Sequence, residues 1–139
     1  MKLDYLLLAD KAEAINGKVY MMGGSIGAIG LAQMPGLAAF DLAIGLLLDY
    51  SETSDTHRLL LAMETADNQP VLGPIEIPFA TGRPPGFPPG DSMRFTAVIQ
   101  GPFPIPTEGA YQWRAEVDGQ PMDVRHFRVT RVTPLVPQQ

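Results

Sequence analysis

The segment from Gly109 to Arg131 constrains the fold of this chain more than any other. Tyr111, Trp113, Ala115 and Val117 fall on alternate positions, separated by Gln112, Arg114 and Glu116. Successive side chains of a strand point to opposite faces, so this pattern predicts a half-buried strand with a polar outer face. Asp118-Gly119 follows at once, a dipeptide that tolerates the positive φ angles of a two-residue hairpin turn. The chain then returns through Met122, Val124, Phe127 and Val129. Its apolar positions are even before Arg125-His126 and odd after, which predicts a bulge or register break at that point.

The rest of the chain repeats this grammar. Leu3, Tyr5, Leu7 and Ala9 share one parity of a first strand, and Asn16-Gly17 supplies a second hairpin signal before Lys18 to Met22. Gly23 to Gly36 holds too many glycines for a helix and reads as a bulged strand end followed by a crossover loop. Phe40, Leu42, Ile44, Leu46, Leu48 and Tyr50 line one face of the most apolar strand. Leu59, Leu61 and Met63 point inward from the next, His57 to Thr65. Val71 to Phe79 carries Pro74 and Pro78, which lack ladder donors, so it belongs on a sheet edge. Met93, Phe95, Ala97 and Ile99 form a further strand, and Gly101 to Gly109 is a long connection. Fourteen glycines and 14 prolines in 139 residues exceed the usual share of roughly 12% and are spread as turn punctuation. The expectation is an all-β fold: a single antiparallel two-sheet sandwich of about eight strands, immunoglobulin-like or jelly-roll-like, over residues 1–133. Residues 134–139 read as a flexible or extended arm. A chain of this length buries roughly 70% of the surface its unfolded form exposes, so no staple is required.

Asn16-Gly17-Lys18-Val19 leading to Met22-Gly23, His57 through Asp67-Asn68, and Glu108-Gly109-Ala110-Tyr111 through Val117-Asp118-Gly119 occur in this order. In these motifs the chain resembles a bacterial family of small cytoplasmic β-sandwich proteins catalogued as a domain of unknown function. The resemblance spans nearly the whole chain and implies a fold but no activity.

Composition narrows the function. A formal charge of -5 argues against non-specific nucleic-acid binding, which rests on a basic surface. With no cysteine, neither a disulfide nor a thiolate metal site can form. The apolar run near the N-terminus is short and flanked by Asp4 and Asp10, unlike a secretory signal, and no run reaches membrane-spanning length. A cytoplasmic protein with no membrane partner is expected.

Candidate chemistry is sparse. His57 and His126 are the only histidines, and neither has a second histidine at ligand spacing. Asp49, Glu52 and Asp55 cluster in one turn as an oxygen set for calcium, although their spacing matches no EF-hand loop. The glycines between Gly24 and Gly30 lack the Gly-Lys-Ser/Thr of a phosphate loop, and no serine lies in a Gly-x-Ser-x-Gly elbow. No catalytic constellation emerges, so a non-enzyme without cofactor is expected. The stiff loop with Arg83, Pro84, Pro85, Phe87 and Pro88 suits contact with a protein, with Phe87 either an apolar anchor or a plug for the end of the fold.

Apolar side chains of the wrong parity are the strongest functional hint. Leu6, Leu8, Leu47 and Leu60, joined by Ala43, Ala62 and Val98, fall on the face expected to be wet. On neighbouring strands they would form a contiguous patch, which marks an interaction surface. The reading is a non-catalytic module that self-associates or docks to a protein partner, using Leu6, Leu8, Leu47, Leu60 and Val98. The alternative is a small-ligand or calcium-dependent carbohydrate-binding sandwich, with Trp113 or Tyr50 as stacking platform.

Overall fold

In a computed structural model, which describes residues 1–133, the chain is all-β, with eleven strands in three sheets. The strands are β1 (Lys2–Ile15), β2 (Lys18–Gly24), β3 (Ala28–Leu31), β4 (Gly36–Ala38), β5 (Asp41–Leu48), β6 (His57–Thr65), β7 (Pro70–Phe79), β8 (Met93–Ile99), β9 (Phe103–Ile105), β10 (Gly109–Val117) and β11 (Gln120–Arg131). One sheet has the order β2-β1-β5-β8, the second β3-β11-β10-β6-β7, and β4 with β9 makes the third. All pairings are antiparallel except that of β3 with β11. The expected eight-strand, two-sheet count therefore falls short. β3, β4 and β9 are three or four residues long and rich in glycine and proline, too short for alternation to register. The expected C-terminal arm, 134–139, lies outside the described residues.

One buried cluster draws side chains from both large sheets and from the small one. Leu42, Ile44, Leu46 and Leu48 of β5 meet Leu59, Leu61 and Met63 of β6 and Tyr111, Trp113, Ala115 and Val117 of β10. Phe103 and Ile105 of β9 are buried in it too, with Phe103 edge-on to Trp113 at 5.1 Å. Each fully buried Leu or Ile contributes on the order of 1.5–3 kcal/mol, so this cluster dominates stability.

β1 departs from the expected facing. Leu3 pairs with Leu46, but Tyr5 pairs with Gly45, leaving Asp4 as an extra residue in a bulge. One extra residue inverts every later side chain, so Leu6 and Leu8, not Tyr5 and Leu7, enter the core. On β11 the register break lies between Ala115 and Glu116, opposite Asp123 and Pro121, and not at Arg125-His126. Arg125 faces inward beside Trp113, and its Nε donates to the Leu6 carbonyl at 2.8 Å. That bond satisfies an open stretch of β1 and joins the two large sheets.

β1 runs well beyond its pairing with β5, which ends at Ala9. The remainder, with β2, is a hairpin arm whose turn holds Asn16 at φ 51 and Gly17 at φ 74. Alternation breaks at Asp10: Gly23 has φ 63, and a Cβ there would lie 2.2 Å from the Asp10 carboxylate. β2 stands three places from β8 in the sheet order, about 14 Å if the sheet were flat, yet the two strands touch. The arm therefore curls over the outer face of its own sheet. Ala9, Ala12 and Ala43 are buried there beneath Tyr5, Val19, Met21 and Val98. Asp41 fastens the curl, accepting the Ala12 N–H at 2.9 Å and the Gly101 N–H at 3.0 Å.

Candidate functional site

Two regions carry side chains that the core does not use. The first is the outer face of the β1–β2 arm. Because Ala12, Val19 and Met21 turn toward the body, Lys11, Glu13 and Ile15 on β1 and Lys18, Tyr20 and Met22 on β2 turn away. Met22 is 73% exposed, Tyr20 56% and Ile15 46%, three of the most exposed large apolar residues described. A groove of about 360 Å³ lies beside Tyr20 and Met22, lined also by Lys11, Glu13 and Met21. Sequence reasoning missed this face, although Val19-Tyr20-Met21-Met22 is apolar on both parities and signalled it.

The second region is the end of the body where β5 turns into β6. A single 3₁₀ turn, Tyr50–Glu52, is capped by Asp49, and Glu52 Oε1 accepts the Asp49 N–H at 2.9 Å. His57, 7% exposed, begins β6 between this turn and the β10–β11 turn. Its Nε2 lies 2.7 Å from the Glu52 carbonyl and its Nδ1 2.7 Å from Asp118 Oδ2. Asp118 holds φ 51 in the hairpin turn, and its other oxygen accepts the Arg58 N–H at 2.9 Å.

Burial alone would push the His57 imidazole down, but the bonds to the Glu52 carbonyl and Asp118 outweigh it and raise it above the ordinary histidine range. The bond from His57 holds Asp118 below the usual carboxylate range. Burial works to raise Glu52, yet hydrogen bonds from the Met1 amine and the Asp49 N–H hold it below its ordinary value. With both ring nitrogens engaged, His57 presents no free lone pair to a substrate or metal. His126 is exposed on the outer face of β11.

The expected interaction residues do not assemble. Leu6 and Leu8 are buried in the main core, since the Asp4 bulge inverts their facing. Leu47 and Leu60 are half-buried, but β5 and β6 belong to different sheets, so their outer faces look away from each other. Val98 lies under the curled arm, packed on Ala9, Ala12 and Ala43. Ala62 is on the outer face of β6, near a polar row in which Gln112 bonds Glu64 at 2.6 Å and Asn68 at 3.1 Å.

The proline loop sits against the second region. Phe87 is half-buried and stacks on Tyr50 with ring centroids 6.0 Å apart, and Arg83 lies 4.1 Å over the Tyr50 ring. Phe87 thus packs on the chain's own 3₁₀ turn. Pro84, Pro85 and Pro88 remain exposed around it. Trp113 is fully buried and Tyr50 is covered by the loop, so neither offers a free stacking platform. Glu52 of the acidic turn is committed to its cap, and no group of three or more metal-ligating side chains occurs among the described residues. Among those residues no helix is long and apolar enough to cross a membrane.

No curated protein matches the chain. A family model does, over residues 4–130, from the first strand through nearly all of β11. The chain belongs to this family of unknown function (DUF6941).

Proposed function

We propose that this chain is a non-catalytic β-sandwich module that works by contact with protein, and that its contact element is the β1–β2 arm paired with a second copy. The exposure of Tyr20 and Met22 beside the unpaired side of β2 carries this reading. A free strand edge is a template for another strand unless it is blunted. Pro70, Pro74 and Pro78 blunt the β7 edge, whereas β2 contains no proline.

Geometry favours a symmetric partner. Ile15 and Lys18 flank a two-residue turn and exchange their backbone bonds, so Val19 and Met21 direct theirs outward. A register that sets Met21 against its own copy places Tyr20 opposite Met22 on both sides of the two-fold axis. Sulfur–aromatic contacts favour that pair, and Lys18 then faces Gly24, so no like charges meet. The sandwich reading draws support from Tyr111, whose hydroxyl donates to the Thr107 carbonyl four residues upstream. Such a bond at the start of a strand is a feature of immunoglobulin-like folds. Light scattering on the wild type and a Tyr20→Ser/Met22→Ser variant tests the proposal, which expects association in the first and its loss in the second.

A further inference from the structure

We propose that His57 is a charged latch: an imidazolium at neutral pH, it fastens the Asp49–Asp55 turn to the Asp118 hairpin turn and releases the former when it loses its proton. Both ring nitrogens face acceptors. The Glu52 carbonyl facing Nε2 can only accept, so that nitrogen must carry hydrogen. The Asp118 carboxylate facing Nδ1 accepts there and accepts Arg58 N–H at its other oxygen, so Nδ1 must carry hydrogen as well. A neutral imidazole has one N–H and satisfies one of these partners only. Phe79 of β7 packs on the ring at 5.5 Å, and burial leaves little room for water to take over a lost bond.

The surrounding charges agree. From the β10–β11 turn Asp118 faces the ring, and from the 3₁₀ turn Glu52 does, its charge partly answered by the Met1 amine at 2.8 Å, which the Asp49 carboxylate also approaches at 3.8 Å. β7 presents only the apolar Phe79 to the ring, while the neighbouring Arg58 guanidinium points away to Glu76 at 3.0 Å. On deprotonation the ring keeps its N–H toward the Asp118 charge and turns a lone pair on the Glu52 carbonyl. Repulsion between the two frees the 3₁₀ turn. Tyr50 belongs to that turn and holds Phe87 and Arg83, so the proline loop loosens with it. The device is independent of the β1–β2 arm.

The test is NMR on the full chain with ring-¹⁵N histidine. At pH 7 both His57 nitrogens should be protonated, and the backbone amides of Glu52, Thr53 and Phe87 should shift at the His57 midpoint as pH rises. Asp118→Asn keeps a residue that tolerates the positive φ of the turn and should lower that midpoint. An unprotonated ring nitrogen at pH 7, turn signals that ignore the His57 midpoint, or a midpoint unmoved by Asp118→Asn would each overturn the latch. The wild-type titration decides by itself if the variant does not fold.

Discussion

The Tyr5 ring lies across Gly45: a Cβ at position 45 would come within 2.2 Å of the ring. The Tyr5 hydroxyl reaches on to Thr96 Oγ1 at 3.0 Å, so one aromatic side chain spans β1, β5 and β8 on the outer face of their sheet. This contact and the three buried alanines beside it let the arm approach closely.

Gly45→Ala should therefore destabilise the protein by about 1–3 kcal/mol, the cost typical of overpacking. In urea unfolding, a Tyr5→Ala/Gly45→Ala double variant should lose less than the sum of the two single losses, because removing the ring removes the clash. Strict additivity would contradict the contact.

The Asp4 bulge makes a second prediction. Leu8→Ala should cost about 2–5 kcal/mol as a core cavity, while Leu7→Ala, on the opposite face, should cost under about 1 kcal/mol. Chemical denaturation of the two variants checks this, and the reverse order would restore the facing that alternation alone suggests.

How far the fold is legible in the sequence follows from these residues. Inward faces on β5, β6 and β10 can be read directly, since Leu42, Ile44, Leu46 and Leu48, then Leu59, Leu61 and Met63, then Tyr111, Trp113, Ala115 and Val117 each keep one parity. The facing of β1 cannot, because a one-residue bulge leaves no compositional mark yet inverts Leu6 and Leu8. The expected leucine patch failed for a related reason: whether Leu47 and Leu60 share a surface depends on sheet order, a non-local property. His57 and Asp118 lie 61 positions apart, so each reads alone as a strand start and a turn residue. By contrast, the Tyr20–Met22 face was legible as apolar residues on both parities, but only the arm's curl shows which of them stay exposed.

Stability should depend on pH with a definite sign. His57 is raised in the folded state, so its contribution is fully present below the ordinary histidine value of about 6.5 and is lost as pH rises through the raised value. Asp118 is lowered, so its contribution is present above the ordinary carboxylate value of about 3.9 and is lost as pH falls through the lowered value. The melting-temperature gap between wild type and His57→Gln should thus be widest at weakly acidic pH and narrow as pH rises. A gap that widens toward alkaline pH would contradict the assigned charge.

Association through β2 is read out by solution mass, measured by light scattering over a hundredfold concentration range. The wild type should reach at least twice its 15.1 kDa chain mass, and Tyr20→Ser/Met22→Ser should stay at one chain with an unchanged melting temperature. A wild type that remains a single chain throughout, or a variant that associates as well as the wild type, would contradict it.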